Sequence, residues 1–282
     1  MFKSHTLKVP IELLQMVNAC KLHKALGIFL LLKSYCDGHL ILTKELKAEI
    51  MLRMGIRTLT SFSKYMERLV QLNWVGIDHS NNTCYIRSFN WLRKVYHFTY
   101  TTSAVFNFRR DIRYITQFVQ AAIIGFEVRR RESGRKAKII KVAGRSALKK
   151  ASAIQELIAT GMISPYIGLS NEKLGELLGV SRSQADRIKK KLKSLGYLRT
   201  KPRYKLIAQL ATPDFQLIKN YNPNRRYLVS KSKRKQNLSY RFKERTYDEI
   251  MNCIEFVNQR NLLKQLNQKG ILKSQTLSIP LL

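Results

Sequence analysis

The residues best placed to do chemistry lie between Ser181 and Lys193, in SRSQADRIKKKLK. Read as a helix, this stretch puts Ala185, Ile188, Leu192 and Leu195 on one stripe at three- and four-residue spacing. Arg182, Ser183, Asp186, Arg187 and Lys190 fall elsewhere on its circumference. These are side-chain types that read base edges: a guanidinium donates two hydrogen bonds to guanine, a carboxylate accepts from cytosine, and a hydroxyl serves either. Ser181, Lys189 and Lys193 flank them as donors to phosphate. The expected chemistry is recognition of nucleic acid, with no bond made or broken.

A reading helix needs a scaffold, and the flanking residues supply one. Ser170 is placed to cap a short helix carrying Leu174, Leu177 and Leu178 on one face, which Gly179-Val180 ends. Ser181 and Gln184 form the S-x-x-Q capping box of the next helix, and Gly196 supplies a left-handed residue to stop it. Two short helices joined by a tight turn make a helix-turn-helix. Tyr197-Leu198 and Arg199 to Tyr204 then read as a short hairpin with a basic tip at Arg199, Lys201 and Arg203.

The pattern LxxLLGVSRSxxxRxxxxLxxxGYL resembles the winged helix-turn-helix of bacterial regulators of the cyclic-AMP receptor type. That resemblance implies that Arg182, Ser183 and Arg187 reach base edges in the major groove, while the wing meets phosphate or the minor groove.

The plan occurs twice. Phe62, Tyr65, Leu69, Leu72, Asn73, Trp74 and Val75 stand 123 positions before Ala185, Ile188, Leu192, Leu195, Gly196, Tyr197 and Leu198. Upstream of them a long helix is expected over Ile11 to Cys36, then a strand at Leu40 to Leu42. A helix capped by Thr43, with Leu46, Ile50 and Leu52 inside, precedes one from about Thr58 to Leu72. Strands at 74–77 and 84–89 flank Asn81-Asn82, a pair suited to a hairpin turn. Arg57, Thr60, Ser61, Lys64 and Arg68 make this copy a second candidate reader, with one extra residue in the turn and a less basic face. A packing or dimerisation module is the equal alternative.

Between the copies, an aromatic, Thr-rich bridge reads as extended structure or a linker, and Asp111 to Glu132 reads as a helix. Arg129, Arg130 and Arg131 open a basic patch reaching Lys150, either a loose loop or a helix end lying along phosphates. A helix at 147–162 leads to the motif. Asn222-Pro223-Asn224 marks a boundary, after which Arg225 to Arg245, with Lys233, Arg234 and Lys235, reads as a basic arm that orders on nucleic acid. Thr246 is placed to cap a final helix with Ile250, Ile254, Val257, Leu262 or Leu263, and Leu266 on its stripe.

Composition agrees with a polyanionic partner. The chain of 282 residues has 52 Lys and Arg against 18 Asp and Glu, a formal charge of +34. Such a balance attracts nucleic acid. With 45% hydrophobic residues most of the chain should fold. No apolar run approaches the roughly twenty residues of a membrane span, and MFKSHTLKVP lacks the apolar core of a leader. Cys20, Cys36, Cys84 and Cys253 lack disulfide-framework spacing, which suits the cytoplasm. Cys36 with His39 and His79 with Cys84 have metal-ligand spacing, but antiparallel strands would put the pairs at opposite ends of a sheet. No metal or other cofactor is expected. Phosphate-loop, nucleophile-elbow and zinc-protease motifs are absent, as is a carboxylate cluster for two-metal catalysis, so no enzymatic activity is expected.

The resulting expectation is a mainly α chain with small β wings, built as two winged helix-turn-helix domains. The first covers residues 1–95, a linker 96–108, and the second 109–220 with a basic insertion at 129–150. A basic arm at 221–245 and a C-terminal helix and tail at 246–282 follow. The expected partner is double-stranded DNA, with a homodimer through the first domain or the C-terminal helix, no membrane, and a nucleoid-associated cytoplasmic location. Tandem winged helices resemble plasmid and phage replication initiators, in which one copy dimerises and the other binds origin repeats. A transcription regulator of a mobile element is the alternative function, and a non-specific basic structural protein the third.

Overall fold

The computed structural model describes residues 5–36, 38–78, 80–143, 164, 166–210, 227–234 and 237–258. The chain divides into two compact units, Met1–Phe126 with Ile254–Leu282, and Glu127–Cys253. The dividing points are thus 126/127 and 253/254, where a linker at 96–108 was expected.

In the first unit β1 (Thr6–Pro10) leads into α1 (Ile11–Ala19) and α2 (His23–Tyr35). The single helix expected over 11–36 is broken because Lys21 adopts φ 56° and the Leu22 amide turns back to the Val17 carbonyl. Ala25 to Ser34 are buried without interruption, so α2 is a central helix with no wet face. Next come β2 (His39–Ile41), α3 (Lys44–Met54), α4 (Leu59–Gln71), β3 (Val75–Asp78) and β4 (Thr83–Ile86), with sheet order β2-β4-β3. Thr43 and Thr58 cap α3 and α4 by accepting from the Leu46 and Ser61 amides. Leu52, expected inside, is 82% exposed, because Ile50 and Met54 define the inner face and Leu52 lies half a turn from each.

Ser88 caps a helix absent from the sequence reading, α5 (Phe89–Val95). Its buried Arg93 donates to the Tyr100 carbonyl and to Ser103 Oγ at 2.9 Å, which holds the start of β5 (Thr102–Asn107). Strand β5 lies between β1 and β10 (Phe256–Asn258), antiparallel to both. After α6 (Phe108–Asp111) and a turn of 3-10 helix, α7 runs from Ile115 to Ala143. The basic patch is therefore helical as far as 143. Its remainder, the helix expected at 147–162 and the boundary at 222–224 lie outside the described residues.

The second unit contains β6 (Ile167–Leu169), α8 (Asn171–Leu178), α9 (Arg182–Ser194), β7 (Leu198–Leu210), β8 (Tyr227–Arg234) and β9 (Asn237–Asn252). Sheet order is β6-β9-β7, with β8 also paired to β9. The expectation of a mainly α chain of two winged helix-turn-helix domains with an arm and a C-terminal helix is overturned here. Among the described residues the architecture is an α/β mixture with three antiparallel sheets. Within the basic arm, residues 227–234 and 237–245 form a hairpin, β8 on β9, and residues 246–252 and 256–258 are strand, not helix; the rest of the expected C-terminal helix, with Leu262, Leu263 and Leu266, lies outside the described residues. Ile250, Ile254 and Val257 do fall at helical spacing, but Asp248 and Ile250 are buried in alternation with the less buried Tyr247 and Glu249. Ile250 pairs with Ile167 on one side and Thr200 on the other. Cross-strand partners far away in sequence decide the conformation of such a segment. The basic wing tip is likewise the body of a strand, since β7 continues through Pro202. A proline is tolerated there because, among the described strands, β7 pairs with β9 alone and its other edge makes no ladder.

The internal repeat stands out in local geometry. Both copies run strand, helix, helix and then antiparallel strands, with the first strand paired to the last and the last to the strand that follows the helices; the second copy adds β8, also paired to β9. Left-handed Gly55 and Gly179 end α3 and α8, while Asn73 and Gly196, at φ 53° and 75°, follow α4 and α9. Trp74 and Tyr197 then bond back to the Leu69 and Leu192 carbonyls.

Candidate nucleic-acid interface

Capping places α9. Ser181 Oγ accepts from the Gln184 amide and Gln184 Oε1 accepts from the Ser181 amide, both at 3.3 Å, closing the box. Ala185 and Leu192 are buried and Ile188 is half-buried, which leaves Arg182, Ser183, Arg187, Lys190 and Lys193 exposed. Replacing Ser181 with Ala should cost the second unit about 1 kcal/mol, read as a lower denaturant midpoint at unchanged slope.

Carboxylates organise the cations. Arg182 Nη1 lies 2.9 Å from Glu172 Oε1, an exposed pair joining the starts of α8 and α9. Asp186, expected to face a base, instead receives Lys190 Nζ at 2.6 Å, Asn171 Nδ2 at 3.2 Å and Lys189 Nζ at 3.3 Å. The hydrogen bond from Lys190, aided by the charge of Lys189 and opposed by partial burial, holds its carboxyl below the usual carboxylate range. Asp186 therefore serves the inside of the unit. Lys189, expected to meet phosphate, is withdrawn altogether. Its side chain is 6% exposed, with Nζ 2.6 Å from Asp248 Oδ2 on β9 and 2.8 Å from Asn171 Oδ1 on α8. Arg187 is exposed and pairs with no described carboxylate.

The strand β7 adds a second array. Arg199, Lys201, Arg203 and Lys205 alternate along it and are all exposed. They share the face of Met251 and Glu249, the register partners of Arg199 and Lys201, whereas Thr200 and Pro202 share the face of Ile250 and Asp248. Asp248 meets Lys189, so the helices cover one face of the sheet and the cations lie on the other. Arg203 is held in place: Nη1 donates to Tyr247 Oη at 2.9 Å and to Glu249 Oε1 at 3.3 Å, and its guanidinium lies over the Tyr247 ring. Gly168 lets that ring approach, since a Cβ there would stand 2.4 Å from Tyr247 Cε2. Neither Lys205 nor this stack was expected, although the spacing R-x-K-x-R-x-K signals a strand with one basic face.

On α7, burial pushes the Glu127 carboxyl up, but hydrogen bonds from Arg130 and Arg131 outweigh it and hold the group below its usual range. Arg131 also donates to the Gly168 carbonyl at 3.2 Å. Arg130 and Arg131 thus have internal partners, and Arg129 is half-buried. Lys233 and Arg234 lie at the end of β8, in register with Leu238 and Asn237, and Lys235 falls outside the described residues.

No known protein family, curated protein or solved structure matches this chain. Comparison within the chain is more informative. The caps Thr58 and Ser181 are 123 positions apart, so Arg182, Ser183, Arg187, Lys190 and Lys193 correspond to Leu59, Thr60, Lys64, Glu67 and Val70. In the first unit Arg57, Thr60 and Lys64 are exposed and Ser61 and Arg68 half-buried, with Arg68 Nη1 donating to Gln71. Apolar Leu59, 60% exposed, stands where the second unit has Arg182. The candidate metal pairs are not assembled. His39 packs edge-on against Tyr85, its register partner, while Cys84 pairs with Leu40 and is fully buried on the opposite face. His79 lies outside the described residues. Among the described residues no group of three or more His, Cys, Asp or Glu is gathered to hold a metal, and no helix is long and apolar enough to cross a membrane.

Proposed function

We propose that this chain binds double-stranded DNA sequence-specifically, with α9 in the major groove. Arg182, Ser183, Arg187 and Lys190 would meet base edges, and Lys193 and Ser181 the flanking phosphates. The observation that carries this reading is the exposed, capped N-terminal half of α9, whose cations lie off the stripe that Ala185 and Leu192 bury. The surplus charge of +34 supports a polyanionic partner. Arg129 and the end of the β8–β9 hairpin at Lys233 and Arg234 would add affinity without regard to sequence.

The role this reading supports best is replication initiation of the plasmid or phage type, because a strand-helix-helix unit closed by an antiparallel sheet is repeated, with apolar Leu59 in the first copy where the second has Arg182. Regulation of a mobile element's transcription is the alternative. Exposed Leu52, Leu59 and Val70 on the first unit suit a homodimer, which would show as a concentration-dependent mass in sedimentation. A nucleoid-associated location would follow from DNA binding.

Arg187→Ala and Arg182→Ala should each weaken binding to the cognate site by about 1 to 3 kcal/mol and leave random DNA almost unaffected, as measured by fluorescence anisotropy. Equal losses on both DNAs would remove α9 from base reading. An initiator should occupy clustered repeats and sustain a plasmid that carries them, whereas occupancy of a promoter without replication would favour the regulator.

A further inference from the structure

The basic face of β7 is on the wrong side of its sheet to share a flat duplex with α9. Arg199, Lys201, Arg203 and Lys205 point away from the face that Asp248 and Ile250 present to the helices. At about 3.3 Å per residue, the four cations span roughly 20 Å of strand. They lie along an edge that pairs with no other described strand. Of the two carboxylates in register with this row, Glu249 is 16% exposed and committed to Arg203, and Glu244 is the register partner of Lys205. Arg203 is pre-ordered by Tyr247, so it loses less freedom on meeting an anion than a free side chain would. A linear row of exposed cations over that length matches a linear polyanion, and duplex DNA offers one charge per about 1.7 Å of axis.

We propose that the outer face of β7 is a second nucleic-acid site, which binds the backbone of a second duplex segment while α9 holds the first. The proposal rests on α9 being the base reader. One copy of the second unit would then hold two DNA segments and bridge or loop them.

The test immobilises a cognate duplex, loads the protein, washes, and adds a labelled duplex of random sequence at low salt. The wild-type chain should capture the labelled duplex. The triple variant Arg199→Gln/Lys201→Gln/Lys205→Gln, which leaves the Arg203–Tyr247 contact intact, should keep its affinity for the cognate duplex within about twofold and lose most of the capture. Neutralising three phosphate contacts should also flatten the salt slope for the second segment by about 2 to 3 log units per log unit. Wild-type protein that holds the cognate site yet captures nothing overturns the proposal. So does a triple variant that captures as well as wild type, since two joined chains would then account for the bridging. A triple variant that loses cognate affinity in step with the rest places both arrays on one duplex and overturns it too. Absence of cognate binding by the wild type is a different failure, that of the base-reading assignment itself.

Discussion

Asp248→Ala should destabilise the second unit by about 1.5 to 3 kcal/mol, because it removes the nearest acceptor of the buried Lys189 ammonium. Asp248 Oδ2 is the nearest of that ammonium's acceptors, at 2.6 Å, and the lysine side chain is 6% exposed. Asn171 Oδ1 and Asp186 Oδ1 remain within 2.8 and 3.3 Å, which favours the lower end of the range. The repeat supplies the control. Lys189 corresponds to Met66, which is buried on α4, so the frame accepts an apolar side chain at this position. The double variant Lys189→Met/Asp248→Leu should therefore recover most of the loss, as buried ion pairs replaced whole by apolar residues often do. Denaturant midpoints of the single and double variants check both statements. A double variant as unstable as the single one would mean that the pair is not the cause.

Trp74→Ala should cost the first unit more, about 3 to 5 kcal/mol. Trp74 is fully buried, its ring centroid 5.3 Å from that of Phe29 on the central helix α2. Its Nε1 donates to Tyr96 Oη at 3.0 Å, and that hydroxyl donates onward to the Leu72 carbonyl. Truncation opens a cavity and removes a partner from a half-buried hydroxyl. Trp74→Phe keeps most of the volume and should cost clearly less. Equal losses in the two variants would assign the effect to the hydrogen bond alone.

The parts of this architecture that were legible in the sequence are those whose signals lie within a few residues of their effect. Ser170 and Ser181 cap, and Gly179 and Gly196 turn, through contacts no more than four residues away, so composition and spacing suffice to place them. The exposed face of α9 followed from its apolar stripe for the same reason. Segment 246–258 was not legible, because Ile250, Ile254 and Val257 satisfy a helical period by themselves. Only pairing with Ile167, Thr200 and Ala104, dozens of residues or more away, selects the strand. Lys189 was misplaced for a related reason. A lysine on a basic helix reads as solvated unless the position of Asp248 is known, and that position depends on the same pairing. Leu52 shows the converse error, where a leucine near an apolar stripe was counted inside although its angle on the helix points out.

The most direct measurement of the central claim is selection of bound duplexes from a random library at about 0.15 M salt, where phosphate-only binding is weak. Base reading by α9 predicts a single enriched motif that disappears from the selection with Arg187→Ala. Absence of enrichment, with tight binding surviving only at low salt, would contradict it and leave the charge of the chain as its means of binding.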